Sequence, residues 1–113
     1  YKNGLAISYE KLGQTQADLG NLEKARSFFE QYNQLEKELY ESYPQSVLYK
    51  NNLAISYAKL GQLHQKQENT RKSHAFFQQA EQLWEALVND FPSYAEFSKN
   101  LEIVQEILKE LET

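Results

Sequence analysis

His64 and Glu68 stand one helical turn apart, and His74 follows shortly after. On a helix that spacing would aim an imidazole and a carboxylate at the same ion, a pairing that zinc accepts. A metal site needs a third protein ligand. The 113-residue chain has no cysteine, only these two histidines and no further donor in phase, so no metal site is expected and both histidines read as surface or groove residues. Arg71 and Lys72 fall where a helix should begin, a place that favours Asp or Glu. Two cations beside the free N–H groups of a helix start define an anion contact, for a phosphate or a partner's carboxylate. Nothing in the chain resembles a Gly-rich phosphate loop or a nucleophile with a companion base, and the carboxylates are dispersed. No catalytic residue, no cofactor and no enzymatic activity are therefore expected.

The elements that must position these residues follow from the rest of the composition. A 13.3 kDa chain with 41% apolar and 25% charged residues is sized for one soluble unit with a single core. A net charge of −4 argues against reading a phosphate backbone, so nucleic acid is not an expected partner. Apolar runs as short as Leu5-Ala6-Ile7 argue against a membrane span or a signal-peptide core, which makes the cytoplasm the default compartment. The absence of Met reads as an excerpt from a longer chain.

A repeat with a period of 48 residues organises the chain. Tyr1-Lys2-Asn3-Gly4-Leu5-Ala6-Ile7-Ser8-Tyr9 returns as Tyr49-Lys50-Asn51-Asn52-Leu53-Ala54-Ile55-Ser56-Tyr57, and Lys-Leu-Gly-Gln follows both times; 21 of 48 aligned positions are identical. Leu5, Tyr9, Leu12, Gln16 and Leu19 keep the three-and-four spacing of an amphipathic helix, and Leu5, Tyr9 and Leu12 are expected to point at the partner helix. Gly20-Asn21 breaks that helix, with Asn21 as N-cap of a second whose inward face is Ala25, Phe28, Phe29, Tyr32, Leu35 and Leu39. Pro44 ends the second helix, and the next must start near Ser46. Five helices are predicted, over 1–19, 22–42, 46–67, 70–90 and 94–112. The fold class is all-α.

The residues carrying this period resemble a tetratricopeptide repeat. The large residue before the Leu-Gly pair is Tyr9 or Tyr57, the pair is Leu12-Gly13 or Leu60-Gly61, the turn glycine is Gly20, the small residue is Ala25 and the aromatic is Phe29 or Phe77. The glycine is expected to admit a neighbouring helix closely, with the alanine beneath it. Late prolines make this a long-helix variant, similar to the repeats of kinesin light chains and of bacterial multidomain signalling proteins. The resemblance implies an α-solenoid of two antiparallel helix pairs in one domain, residues 1–48 and 49–96, with 97–113 as a capping helix. Lys109 and Glu102 stand in that last helix where Gly13 and Ala6 stand in the first, and a polar outer face there would close the solenoid. Trp84, which replaces Glu36, is expected to pack against it.

The resemblance also implies a protein or peptide partner held in a groove, without chemistry. Residues rotated away from the core of each first helix should line that groove: Asn3, Ile7, Glu10 and Gln14, then Asn51, Ile55, Ala58 and Gln62, extended by Lys99 and Ile103. Replacing Asn51 or Gln62 by alanine is expected to weaken binding with little loss of stability. Two other readings stand beside this one, a self-association module and a regulatory repeat region of a larger signalling enzyme. Uncovered apolar surface near Tyr1 and Leu5 predicts weak homo-oligomerisation through that end. The segment 67–73 is the expected weak joint, because Glu68 replaces the turn glycine, Ser73 replaces the alanine, and Arg71 and Lys72 oppose the helix dipole.

Overall fold

Turn residues and prolines divide the chain where the sequence places them. The computed structural model describes residues 1–113 as five helices: α1 (Lys2–Asp18), α2 (Leu22–Ser42), α3 (Val47–Lys66), α4 (Thr70–Asp90) and α5 (Ala95–Leu111). Every boundary falls within a residue of expectation. Helices α2 and α4 stop at Tyr43 and Phe91, immediately ahead of Pro44 and Pro92. Helix α3 starts from Ser46, whose Oγ accepts the Tyr49 N–H at 3.1 Å.

Both turns inside the helix pairs have one backbone form. The Asn21 N–H reaches back to the Gln16 carbonyl and the Asn69 N–H to the His64 carbonyl, each at 2.8 Å, and the residue between helix and bond has a positive φ. That residue is Gly20 in the first turn (φ 84°) and Glu68 in the second (φ 60°). Asn21 corrects its expected role. It stands at the N-cap position, but its side chain caps nothing and donates to Gln16 Oε1 at 2.9 Å instead. Asn69 does cap, accepting the Lys72 N–H at 3.5 Å.

Helices pack in sequence, α1 on α2, α2 on α3, α3 on α4 and α4 on α5, which gives an all-α solenoid of stacked pairs resembling tetratricopeptide repeats. One core gathers Ala6, Ala25, Phe29 and Tyr32 with Leu60 and Leu63 of α3. A second gathers Ala54, Phe77, Trp84 and Leu87 with Phe97, Val104 and Leu108 of α5. Helix α3 therefore belongs to both. Its close contact with α4 goes through Gly61, where an added Cβ would lie 2.9 Å from the Phe77 ring, and Gly13 meets Phe29 in the same way at 2.6 Å. The glycine thus makes room for the phenylalanine ring of the second helix rather than for its alanine. Ser73 stands in the alanine's place fully buried, its hydroxyl satisfied by the Gly61 carbonyl at 2.8 Å.

Leu5 and Leu12 depart from expectation. They were expected to face the partner helix, yet they are 46% and 45% exposed, whereas Leu53 and Leu60 at the matching places of α3 are buried. The reason is position in the stack. That leucine row faces the preceding helix pair: α2 covers it on α3, and nothing covers it on α1. Helix α1 buries only Ala6 and Gly13 against α2, with Tyr9 stacked on Phe28 at 6.1 Å between ring centroids, as its inward phase predicts. At the other end α5 buries Phe97, Val104 and Leu108 and turns Glu102, Glu106 and Lys109 to solvent.

Candidate functional site

The exposed side of α3 carries Ile55, Ala58, Lys59 and Gln62, successive turns of one helical face. They form one wall of a cavity of about 300 Å³ whose other walls are Trp84 of α4 and Glu96 and Asn100 of α5. Lys59 and Gln62 also border the opposite side of α3, where they meet Gln14 and Ala17 of α1 and Lys66. The two hollows share Lys59 and Gln62 and so adjoin across α3, and are together called the trough. Lys59 is half-buried in it, and its ammonium donates to Gln14 Oε1 at 2.8 Å. Gln14 Nε2 in turn donates to Asp18 at 2.9 Å. The molecule's Lys and Arg ion pairs lie elsewhere, at Lys2–Glu38 and Arg26–Glu23, so Lys59 is paired only to a neutral amide.

Of the ten positions assigned to a groove by helical phase, Ile55, Ala58, Gln62 and Gln14 line this trough. Asn3 and Glu10 are half-buried on α1, and Ile7 is exposed. Asn51 corrects its expected freedom. Its Oδ1 accepts the Trp84 indole N–H at 2.9 Å, so it fixes the buried ring, and its loss would strand that donor. Lys99 and Ile103 are exposed and lie outside the trough, and Glu96 and Asn100 stand there in their place. Two walls that face each other must come from opposite sides of successive helices. Carrying one phase along all the first helices therefore finds one wall and misses the other. The missing signal was present in the repeat, since Asn100 follows Asn52 by one full period.

The histidines are not both superficial. His64 is 4% exposed, its ring stacked on Phe76 with centroids 5.4 Å apart, and its Nδ1 has no partner. Burial first, then the charges of Lys72 and Arg26, hold it below the ordinary histidine range. Glu68 cannot join it across a helical turn, because α3 ends at Lys66 and Glu68 sits in the left-handed turn. His74 Nε2 bonds Glu112 at 2.9 Å, tying α4 to the end of α5. No three His, Asp or Glu side chains gather as a metal would require. Arg71 and Lys72 are both exposed on the first turn of α4, and Asn69 already takes one N–H of that helix start.

Glu36 is the group that sequence reasoning passed over. It lies between the inward positions Leu35 and Leu39 and is 1% exposed, with Oε1 unpartnered. Burial, then the charge of Glu10, pushes its carboxyl up to about 7, against a smaller opposing hydrogen bond from Asn52. The neighbouring Tyr32 phenol is pushed up as well, by burial, then by Glu10 and Glu36.

The span from Ala6 to Leu39 contains the buried contacts that close the first pair, including Gly13 against Phe29, and the left-handed Gly20. Residues 6–39 match the tetratricopeptide repeat family. Such repeats are in general protein–protein interaction modules and are typically non-catalytic. Neither a curated protein nor a solved structure matches the chain. No helix is long and apolar enough to cross a membrane.

Proposed function

We propose that the chain is a non-catalytic scaffold that takes an extended segment of a peptide or protein partner along the trough crossing α3. In this reading residues 1–48 and 49–96 are two long repeats with a 48-residue period, and 97–113 caps them. The observation that carries it is the uncovered row of Ile55, Ala58 and Gln62 beside Lys59, an apolar centre with hydrogen-bonding flanks. Amide side chains can both donate to and accept from an extended backbone, and a half-buried ammonium paired only to an amide retains capacity for a partner's carbonyl or carboxylate. The test uses peptides selected from a random display library against the whole chain. Ala58→Arg fills the trough from a half-buried position at the edge of the second core, and once thermal melting shows the variant folded, the selected peptides should lose at least tenfold in affinity for it. Undiminished binding would move the site to another face.

A second reading rests on α1. Leu5, Leu12 and Leu19 are 46%, 45% and 68% exposed and repeat every seventh residue, a seam suited to a helix of another copy. Sedimentation over a wide concentration range should show a reversible dimer that Leu12→Glu abolishes. A single monomeric species throughout would remove this reading and leave the trough untouched.

A further inference from the structure

Helices α3 and α5 both pack on α4, and the furrow left between them is lined from α4 by Trp84. The hollow at Ile55 and Ala58 fills only part of it. Toward the start of α3 a second hollow of about 250 Å³ opens between Val47, Leu48 and Asn51 on one side and Tyr94 and Phe97 on the other. Glu96 lines both hollows, so they adjoin at its side chain. The second hollow is the more apolar in its residues. Leu48 and Tyr94 are 56% and 58% exposed, two large side chains bordering one hollow from different helices, and the buried Phe97 ring supports Tyr94 at 5.1 Å between centroids. Asn51 has Oδ1 taken by the Trp84 indole and keeps its N–H donors for a backbone carbonyl. Glu96 is exposed and joins none of the molecule's ion pairs. From Leu48 to Gln62 helix α3 rises about 21 Å, which matches about six residues of extended chain.

We propose that the bound segment carries a bulky apolar residue seated between Leu48 and Tyr94 and, one or two places along, a lysine or arginine at Glu96, before it crosses Ile55 and Ala58. This rests on the trough being the binding surface. Charge complementarity selects the occupant. A solvent-facing carboxylate at the junction of the hollows accepts the N–H donors of an ammonium or guanidinium, and the apolar pair beside it gains by being covered. Lys59 lies on the far side of that junction, in the first hollow only, and carries the opposite charge. The order of residue classes along the segment is thereby fixed: the apolar anchor, then the basic residue, then the carbonyl or carboxylate that meets Lys59. A segment with the two charges exchanged would meet like charge at both places.

The test takes the peptides selected from the random library against the whole chain and aligns them by residue class. They should share an apolar residue followed or preceded closely by lysine or arginine. Replacing the apolar residue by serine should weaken binding at least tenfold, and replacing the basic one by norleucine about threefold. Leu48→Gln and Glu96→Lys change exposed side chains, and each is checked by thermal melting to be folded. Both should weaken the selected peptides, and Glu96→Lys should in turn prefer a peptide whose basic residue is replaced by glutamate, a reversal that a loosened helix start would not produce. Peptides that lose binding to Ala58→Arg yet bind Leu48→Gln and Glu96→Lys as they bind the parent would overturn the anchor while leaving the trough in place. Peptides indifferent to Ala58→Arg would overturn both. Sedimentation in which Leu48→Gln abolishes self-association would assign the second hollow to another copy of the chain and likewise overturn the anchor.

Discussion

Burying the Glu36 carboxyl with one oxygen unpartnered lifts its titration from the ordinary 4.5 to about 7. Between those two values the folded chain keeps a proton that the unfolded chain gives up. Stability therefore falls as pH rises through about 4.5 to 7, with the loss complete above that, and a shift of this size corresponds to about 3 kcal/mol. His64 works in the opposite sense. Its folded form resists protonation, so stability is present above the unfolded value of 6.5 and is lost as pH falls below it. The two slopes oppose each other below pH 6.5, where His64 begins to count, and single variants should separate them. Glu36→Gln should raise the urea midpoint at pH 8 but not at pH 4, and His64→Gln should relieve the decline on the acid side. Parallel curves for all three proteins would show that neither group is linked to folding. Neither was legible beforehand, because a glutamate between two inward leucines and a histidine replacing Gln16 of the first repeat both read as solvated. The Trp84–Asn51 hydrogen bond was hidden for a related reason: the ring's burial could be inferred, but not which amide would meet its N–H.

Helix limits, by contrast, were readable to within a residue, since proline and the Gly-Asn and Glu-Asn turns act locally whatever the tertiary environment. What a boundary residue spends on its conformation needed coordinates. Glu68 holds φ 60° where the first turn has glycine, a region that disfavours L side chains by about 1–2 kcal/mol. Glu68→Gly should accordingly raise stability by about 1 kcal/mol, read from urea midpoints at fixed slope, and no gain would mean that the turn is not strained. Of the other reasons for weakness in this joint, Ser73 has lost its force, since its hydroxyl is bonded to Gly61. Inside the pairs the glycines behave differently. Alanine is the better helix former by about 1 kcal/mol, yet Gly13→Ala should destabilise by about 1–3 kcal/mol because its Cβ would enter the buried Phe29 ring. Phe29→Leu in the same chain should recover part of that loss, and strictly additive effects would refute the contact.

The solenoid as a whole assigns different energies to identical letters. Leu12 and Leu60 occupy the same place in their repeats, but Leu12 is 45% exposed and Leu60 is 2% exposed beneath α2. Leu60→Ala should lower stability by about 2–5 kcal/mol. Leu12→Ala should lie within about 1 kcal/mol of the parent by calorimetric melting, and comparable losses would mean that α1 is covered in solution. The order of stacking, which no single helix reveals, decides this difference. It also explains the half of the trough that was legible: Ile55, Ala58 and Gln62 follow from the phase of one helix, while Glu96 and Asn100 depend on how the next one is laid against it.

Trp84 is the chain's only tryptophan, is 4% exposed, and shows its indole to the trough while its N–H is held by Asn51. The molecule thus carries an optical reporter at the proposed docking position. Excited near 295 nm, where tyrosine absorbs little, the folded chain should emit from an apolar setting, at shorter wavelength than the unfolded chain. A segment laid over Ile55 and Ala58 should change that emission without any attached dye, so occupancy of the trough and melting of the second core can be followed in one cuvette. Asn51→Ala, which frees the indole N–H, should shift the unliganded spectrum, and an unchanged spectrum would show that the ring is not held there in solution.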